Sequence, residues 1–179
     1  MFFRALKHKK IADAVLDQVQ PFLGDVGRLL GAVPVGLPSD KYVLGFFCAN
    51  IILEMQRVGA GSLDHVGKGT VLFLILQRLF GKGAVNEKEI GNLLNGLPTP
   101  NTDFQRGCDA AGKIQAAVSG RHKLQNDPDY LAAREVVRKA GSSLDLLNPG
   151  ASEDSKIGGE MLRALYYQHL IEHHQKTHK

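Results

Sequence analysis

Apolar residues recur along this chain every three or four positions. That is the period of a helix with one buried face. Sustained period-two alternation, the mark of a half-buried strand, does not occur. Leu6, Ile11, Val15 and Val19 predict a helix over 3–20. Pro21 has no N–H to continue it and suits the first turn of a second, short helix to Leu30. GAVPVGLPSD (31–40) reads as a loop. Ser39 or Asp40 then caps a long helix, 41–58, whose apolar positions cover more than half its circumference. A second helix of this kind follows over 64–80, from Val71 to Phe80 apolar nearly all round, with Gly81 beyond its end.

The second half repeats the theme with shorter pieces. Asn86 and Glu89 have the spacing of a reciprocal cap on a helix 87–95. LPTPN (97–101) is a turn, and Thr102 caps a helix bearing Phe104, Cys108, Ala111, Ile114 and Val118. Asp127–Pro128 opens a helix that stops at Gly141. Ser143 caps a single turn of Leu144, Leu146 and Leu147. Ser152 or Ser155 opens a last helix to about residue 175. The expectation is an all-α protein: an irregular or orthogonal multi-helix bundle of about eight helices around the two central apolar ones. It forms a single domain over 1–179, with a basic amphipathic arm at 1–10 and a His/Lys-rich tail at 172–179.

Composition adds limits. An apolar content of 44% and a charged content of 22% are ordinary for a globular chain, so disorder, collagen and a disulfide scaffold drop out. The net charge of +4 invites a nucleic-acid reading, but Arg4, Lys7, Lys9 and Lys10 supply all of it. Without those four of the 22 basic residues, 18 bases face 18 acids. Phosphate binding needs a concentrated basic face, which the body lacks. Cys48 and Cys108 sit in apolar helical patterns with no CxxC or metal spacing, which reads as free thiols in a reducing compartment. MFFRALKHKK is not built as a secretory signal, and the longest apolar run, 42–53, is interrupted by Asn50. A membrane span needs about 20 apolar residues, so a cytoplasmic location is expected.

GAGSLDHVGKGT (59–70) resembles a phosphate-binding loop and fails in detail. Five residues separate Gly61 from Gly67 where four are needed, and Thr70 lies one place too late for a metal. Helix capping explains the same residues. Gly59 and Gly61 close one helix, Ser62 or Asp64 caps the next, and Gly67 and Gly69 allow close helix approach. A non-catalytic anion site at Ser62, Gly67, Lys68 and Gly69 is the residual functional reading.

HLIEHHQKTHK (169–179) places His169 and His173 one helical turn apart, and likewise His174 and His178. Such pairs could chelate a divalent metal; no cofactor is expected, and zinc or another divalent metal at these pairs is the residual option. HExxH is absent, and a true site needs more ligands than two, so an exposed tail explains the pattern as well. Asn50, Glu54 and Arg57 form a stripe read as the solvent-facing side of helix 41–58. Residues 87–115 superficially resemble helix-turn-helix, but only Arg106 and Lys113 favour phosphates, against Asp103 and Asp109. Phe2, Phe3 and Leu6 beside the basic arm form a candidate partner-binding edge, or a weak peripheral membrane contact.

No assembled catalytic signature emerges. The leading expectation is a non-enzymatic helical protein–protein interaction or regulatory protein, a homodimer or bound to a protein partner. The alternative is a small-ligand or metal-binding protein, including an enzyme whose residues meet only in three dimensions. A DNA-binding regulator is third.

Overall fold

The computed structural model describes residues 2–141 and 150–177, apart from the side chains of Phe2, Phe3, Arg4, His122 and Thr177. Every regular element among them is helical, and no strand occurs. The helices are α1 (Phe2–Leu30), α2 (Lys41–Arg57), α3 (His65–Phe80), α4 (Glu87–Leu94), α5 (Thr102–Val118) and α6 (Pro128–Ala140). The seventh, α7, runs as α-helix over Glu153–Met161, as π-helix over Leu162–Tyr167 and as α-helix again over Gln168–Thr177. The expected turn at Ser143–Leu147 and the ring of His178 lie outside the described residues. The chain divides into two compact units, Met1–Cys108 and Asp109–Lys179.

In the first unit α1 packs on α3 and α2, and α2 also packs on α3. The buried line on α1 is Ala12, Val15, Val19 and Val26, at helical spacing. On α2, Val43, Leu44, Phe46, Phe47, Cys48 and Ile51 are all buried, so the helix is covered nearly all round. A run of three edge-to-face aromatic contacts, two of them between helices, links α1 through α2 to α3: Phe22 to Phe46, Phe46 to Phe47, and Phe47 to Phe80, with centroids 5.7, 5.8 and 5.2 Å apart. Each such pair adds about 0.5–1.5 kcal/mol beyond its burial. Asp40 caps α2 by accepting from the N–H groups of Tyr42 and Val43.

Glycine sets the crossing of α2 with the start of α5. A Cβ at Gly45 would overlap the carbonyl oxygen of Phe104, and one at Gly107 would overlap that of Tyr42. The backbones meet directly there, which only glycine allows. Cys108 Sγ donates to the Gly45 carbonyl at 3.3 Å, and Arg106 stacks over the Tyr42 ring at 5.7 Å.

In the second unit α6 packs on the start of α7. Its core comprises Ala111, Ile114, Ala117, Ala133, Val137, Ile157, Met161, Tyr166 and Leu170. Lys113 Nζ lies 2.9 Å from Asp127 Oδ2 and 2.6 Å from Asp129 Oδ2, tying α5 to the start of α6. Burial disfavours the Lys113 charge, but the hydrogen bonds to Asp129 and Asp127 override it and raise its pKa. Burial likewise opposes the Asp127 carboxylate, but Lys113 and the Tyr130 N–H hold its pKa down. Asp127 also caps α6.

Four local expectations need correction. Pro21 does not divide the first helix, and α1 runs unbroken through it. Pro21 and Asp17 both lie on the exposed face, where water can satisfy the Asp17 carbonyl that loses its donor. This is why, among the described residues, seven helices stand where about eight were expected. Asn101, not Thr102, caps α5, its Oδ1 accepting from the Phe104 N–H at 2.9 Å. Asn86 caps α4 through the Glu89 N–H, but the Glu89 carboxylate pairs with Lys41 instead of closing the reciprocal cap. Asn50 and Glu54 are buried, not solvent-facing. Asn50 turns its amide onto the Phe46 carbonyl at 2.9 Å, and Glu54 pairs with Arg57 Nε at 2.6 Å.

Candidate functional site

The α2–α3 corner follows from local chemistry. Gly59 takes a left-handed conformation, φ +80°, which reverses the chain at no steric penalty. A 3-10 turn, Ala60–Ser62, carries the chain to Asp64. Asp64 starts α3 by accepting from the Gly67 N–H at 2.7 Å. Two apolar helices thus diverge from a tight turn, and a wedge opens between them.

That wedge is a partly enclosed groove of about 220 Å³. Its apolar lining comes from Ile52 and Met55 on α2, Leu72 on α3 and Leu94 at the end of α4. Ala60, Gly61 and Gly69 complete the lining. Gln56, His65 and Lys68 supply its polar lip, and no carboxylate or thiol lines it. The side chains of His65 and Lys68 make no hydrogen bond or ion pair with any described residue. A shallower depression follows the outer face of α1 around Pro21 and is bordered by Asp17, Gln20 and Arg28.

The four residues proposed from sequence for an anion site point two ways. Ser62 Oγ accepts from Lys7 Nζ at 2.9 Å, on the α1 side. Gly67 is buried there too, with its N–H taken by Asp64 and its open Cβ position 3.2 Å from His8 Nε2. Lys68 and Gly69 instead line the groove. Of the two glycines expected to ease helix approach, only Gly67 meets a neighbour. A Cβ at Gly69 would meet nothing within 4 Å. The Nε2 of His8 is buried with no hydrogen-bond partner among the described residues.

His169 and His173 do come together. Their rings stack with centroids 6.3 Å apart and 23° between planes, both half-buried. Among the described residues no cluster of three or more His, Cys, Asp or Glu side chains could hold a metal ion. Leu6 is 42% exposed on the first turns of α1, while the side chains of Phe2 and Phe3 lie outside the described residues. Arg106 and Lys113, the two bases that favoured DNA, are engaged: Arg106 pairs with Asp103 at 3.1 Å, and Lys113 with Asp127 and Asp129. Both cysteines are free, and burial pushes the Cys48 thiol pKa up, with Cys108 adding to the shift. Among the described residues no helix is long and apolar enough to cross a membrane.

The groove escaped the sequence reading because its parts are far apart along the chain. Leu94 belongs to α4, and Ile52 and Leu72 read simply as core positions. Of its lining residues, the sequence marks only Lys68 and Gly69 as candidate ligand contacts, and for a different geometry. Compared with known proteins, the chain matches no family model, no curated protein and no solved structure.

Proposed function

We propose that this protein is a non-enzymatic binding protein and that the α2–α3 groove is where it binds a small apolar group. The single observation behind this reading is a concave, apolar-walled space with a few convergent polar groups at its lip. That is the usual form of a small-ligand site. At about 220 Å³ the groove is smaller than the ~300–1,000 Å³ typical of drug-sized ligands, so it suits one short chain or side chain. One imidazole and one ammonium, with no carboxylate or thiol beside them, do not make a nucleophile–base pair. The two free thiols suit a reducing, cytoplasmic setting.

Self-association is the second reading. Leu29, Val33 and Val35, 48%, 41% and 99% exposed, cluster in sequence where α1 ends and its loop begins. Neighbouring exposed apolar side chains of this kind suit a contact with another chain. Native mass spectrometry of the purified protein tests both readings at once. A retained small molecule, lost on replacing Leu72 with Asp, supports the groove. A two-chain mass lost on replacing Val35 with Asp supports the dimer. A bare single chain that also takes up no aliphatic additive would remove both.

A further inference from the structure

We infer that the groove takes a single-chain aliphatic anion, its tail along Ile52, Met55, Leu72 and Leu94 and its carboxylate at Lys68. This rests on the groove being a binding site at all. Three observations give the ligand its chemistry. The lip carries positive and neutral polar groups but no acid, so the local field favours a negative head over a positive one. The exposed Lys68 ammonium, at the lip of an apolar space, has no partner among the described residues and is free to meet an incoming oxyanion. Gly69, one residue on, presents bare helix backbone to the same space. A helical glycine is less favourable than alanine by about 1 kcal/mol. Nothing in the protein requires it here, because a side chain would meet no atom within 4 Å. A ligand lying against the helix would require it, since glycine lets another molecule approach the backbone closely.

The volume fixes the rest. About 220 Å³ holds one unbranched chain of short to medium length, not a fused ring system or a two-chain lipid. Met55, the one unbranched and flexible side chain of the wall, can adjust to tails of slightly different length.

The test is a titration of the full chain with decanoate, decanol and decylammonium below their micelle concentrations, read by methyl NMR shifts at Ile52, Met55, Leu72 and Leu94. Decanoate should saturate one site and bind about tenfold tighter than decanol, a charge-assisted hydrogen bond being the difference, with decylammonium weakest. Lys68→Gln should bring decanoate down to the affinity of decanol and leave decanol unchanged. Gly69→Leu should abolish the shifts with every ligand, while circular dichroism shows its helices intact. Equal affinity for decanoate and decanol would overturn the anion inference and leave the groove standing. Decanoate binding that survives Gly69→Leu would place the ligand elsewhere. No groove methyl shift with any of the three would end the inference and the binding reading together.

Discussion

At Gly45 and Gly107 a single hydrogen separates a close-packed crossing from a steric clash. The atoms a new Cβ would meet are backbone carbonyls, which cannot rotate away as a side-chain tip can. Gly45→Ala or Gly107→Ala should therefore destabilise the fold by about 3 kcal/mol or more, at the upper end of overpacking effects. Urea unfolding checks this, with Gly69→Ala as the control. At Gly69 the same substitution meets open space and should stabilise by up to about 1 kcal/mol. Lys113 and its two aspartates tie the end of one helix to the start of the next by charge. Asp127 has its folded pKa held below the ordinary 3.8, so its share of stability is present above about pH 4 and disappears as pH falls through the lowered value. Lys113 is raised above 10.5, so its share is present at neutral pH and disappears only as pH rises through that raised value. Lys113→Met should cost on the order of 1 kcal/mol at pH 7, allowing for solvent screening of a partly exposed pair. The gap to the parent protein should shrink as pH falls below about 4, and a gap that stays constant on acidification would refute the assignment.

Among the elements, α1 shows how tertiary packing overrides a local signal. Pro21 carries a strong propensity to break a helix, yet the buried line Ala12, Val15, Val19 and Val26 passes through it on the opposite face. Burying both halves against α3 and α2 outweighs one lost hydrogen bond. Pro21→Ala should restore that bond and raise stability by between about 1 and 3 kcal/mol, measured by thermal or urea unfolding. Loss of stability instead would mean that the proline fixes a bend on which packing depends. Asp64 is the other decisive residue at this scale, because it supplies the cap that starts α3 and shapes the groove corner. Asp64→Ala should cost about 1 kcal/mol. Helix α7 offers a case with no local signal. Ile157, Met161, Tyr166 and Leu170 are buried at steps of four, five and four. In a plain α-helix Tyr166 would lie roughly two and a half turns from Ile157, facing away from it. The π segment Leu162–Tyr167 takes up the extra residue and returns Tyr166 to the buried side.

Across the molecule, sequence and tertiary structure divided the decisions by range. Fold class, helix positions and most helix ends rested on interactions within four residues: apolar spacing, Asp40, Asp64, Asp127 and Ser152 as caps, and Gly59, Gly81 and Gly141 as stops. Short-range physics of this kind is written in the order of the residues, so it could be read there. Which polar residues are buried could not. Asn50 and Glu54 look like a wet stripe in one dimension, but other elements pack over them, and each finds a partner one turn away on its own helix. The same holds for the two glycines of the α2–α5 crossing, which spacing alone cannot separate from the open Gly69. The groove is the clearest case, because its shape comes from two helices diverging at Gly59 and from Leu94 arriving from a third. A local pattern sets what each segment becomes, whereas a cavity is defined by what segments distant in sequence leave unfilled, and only their packing together determines that.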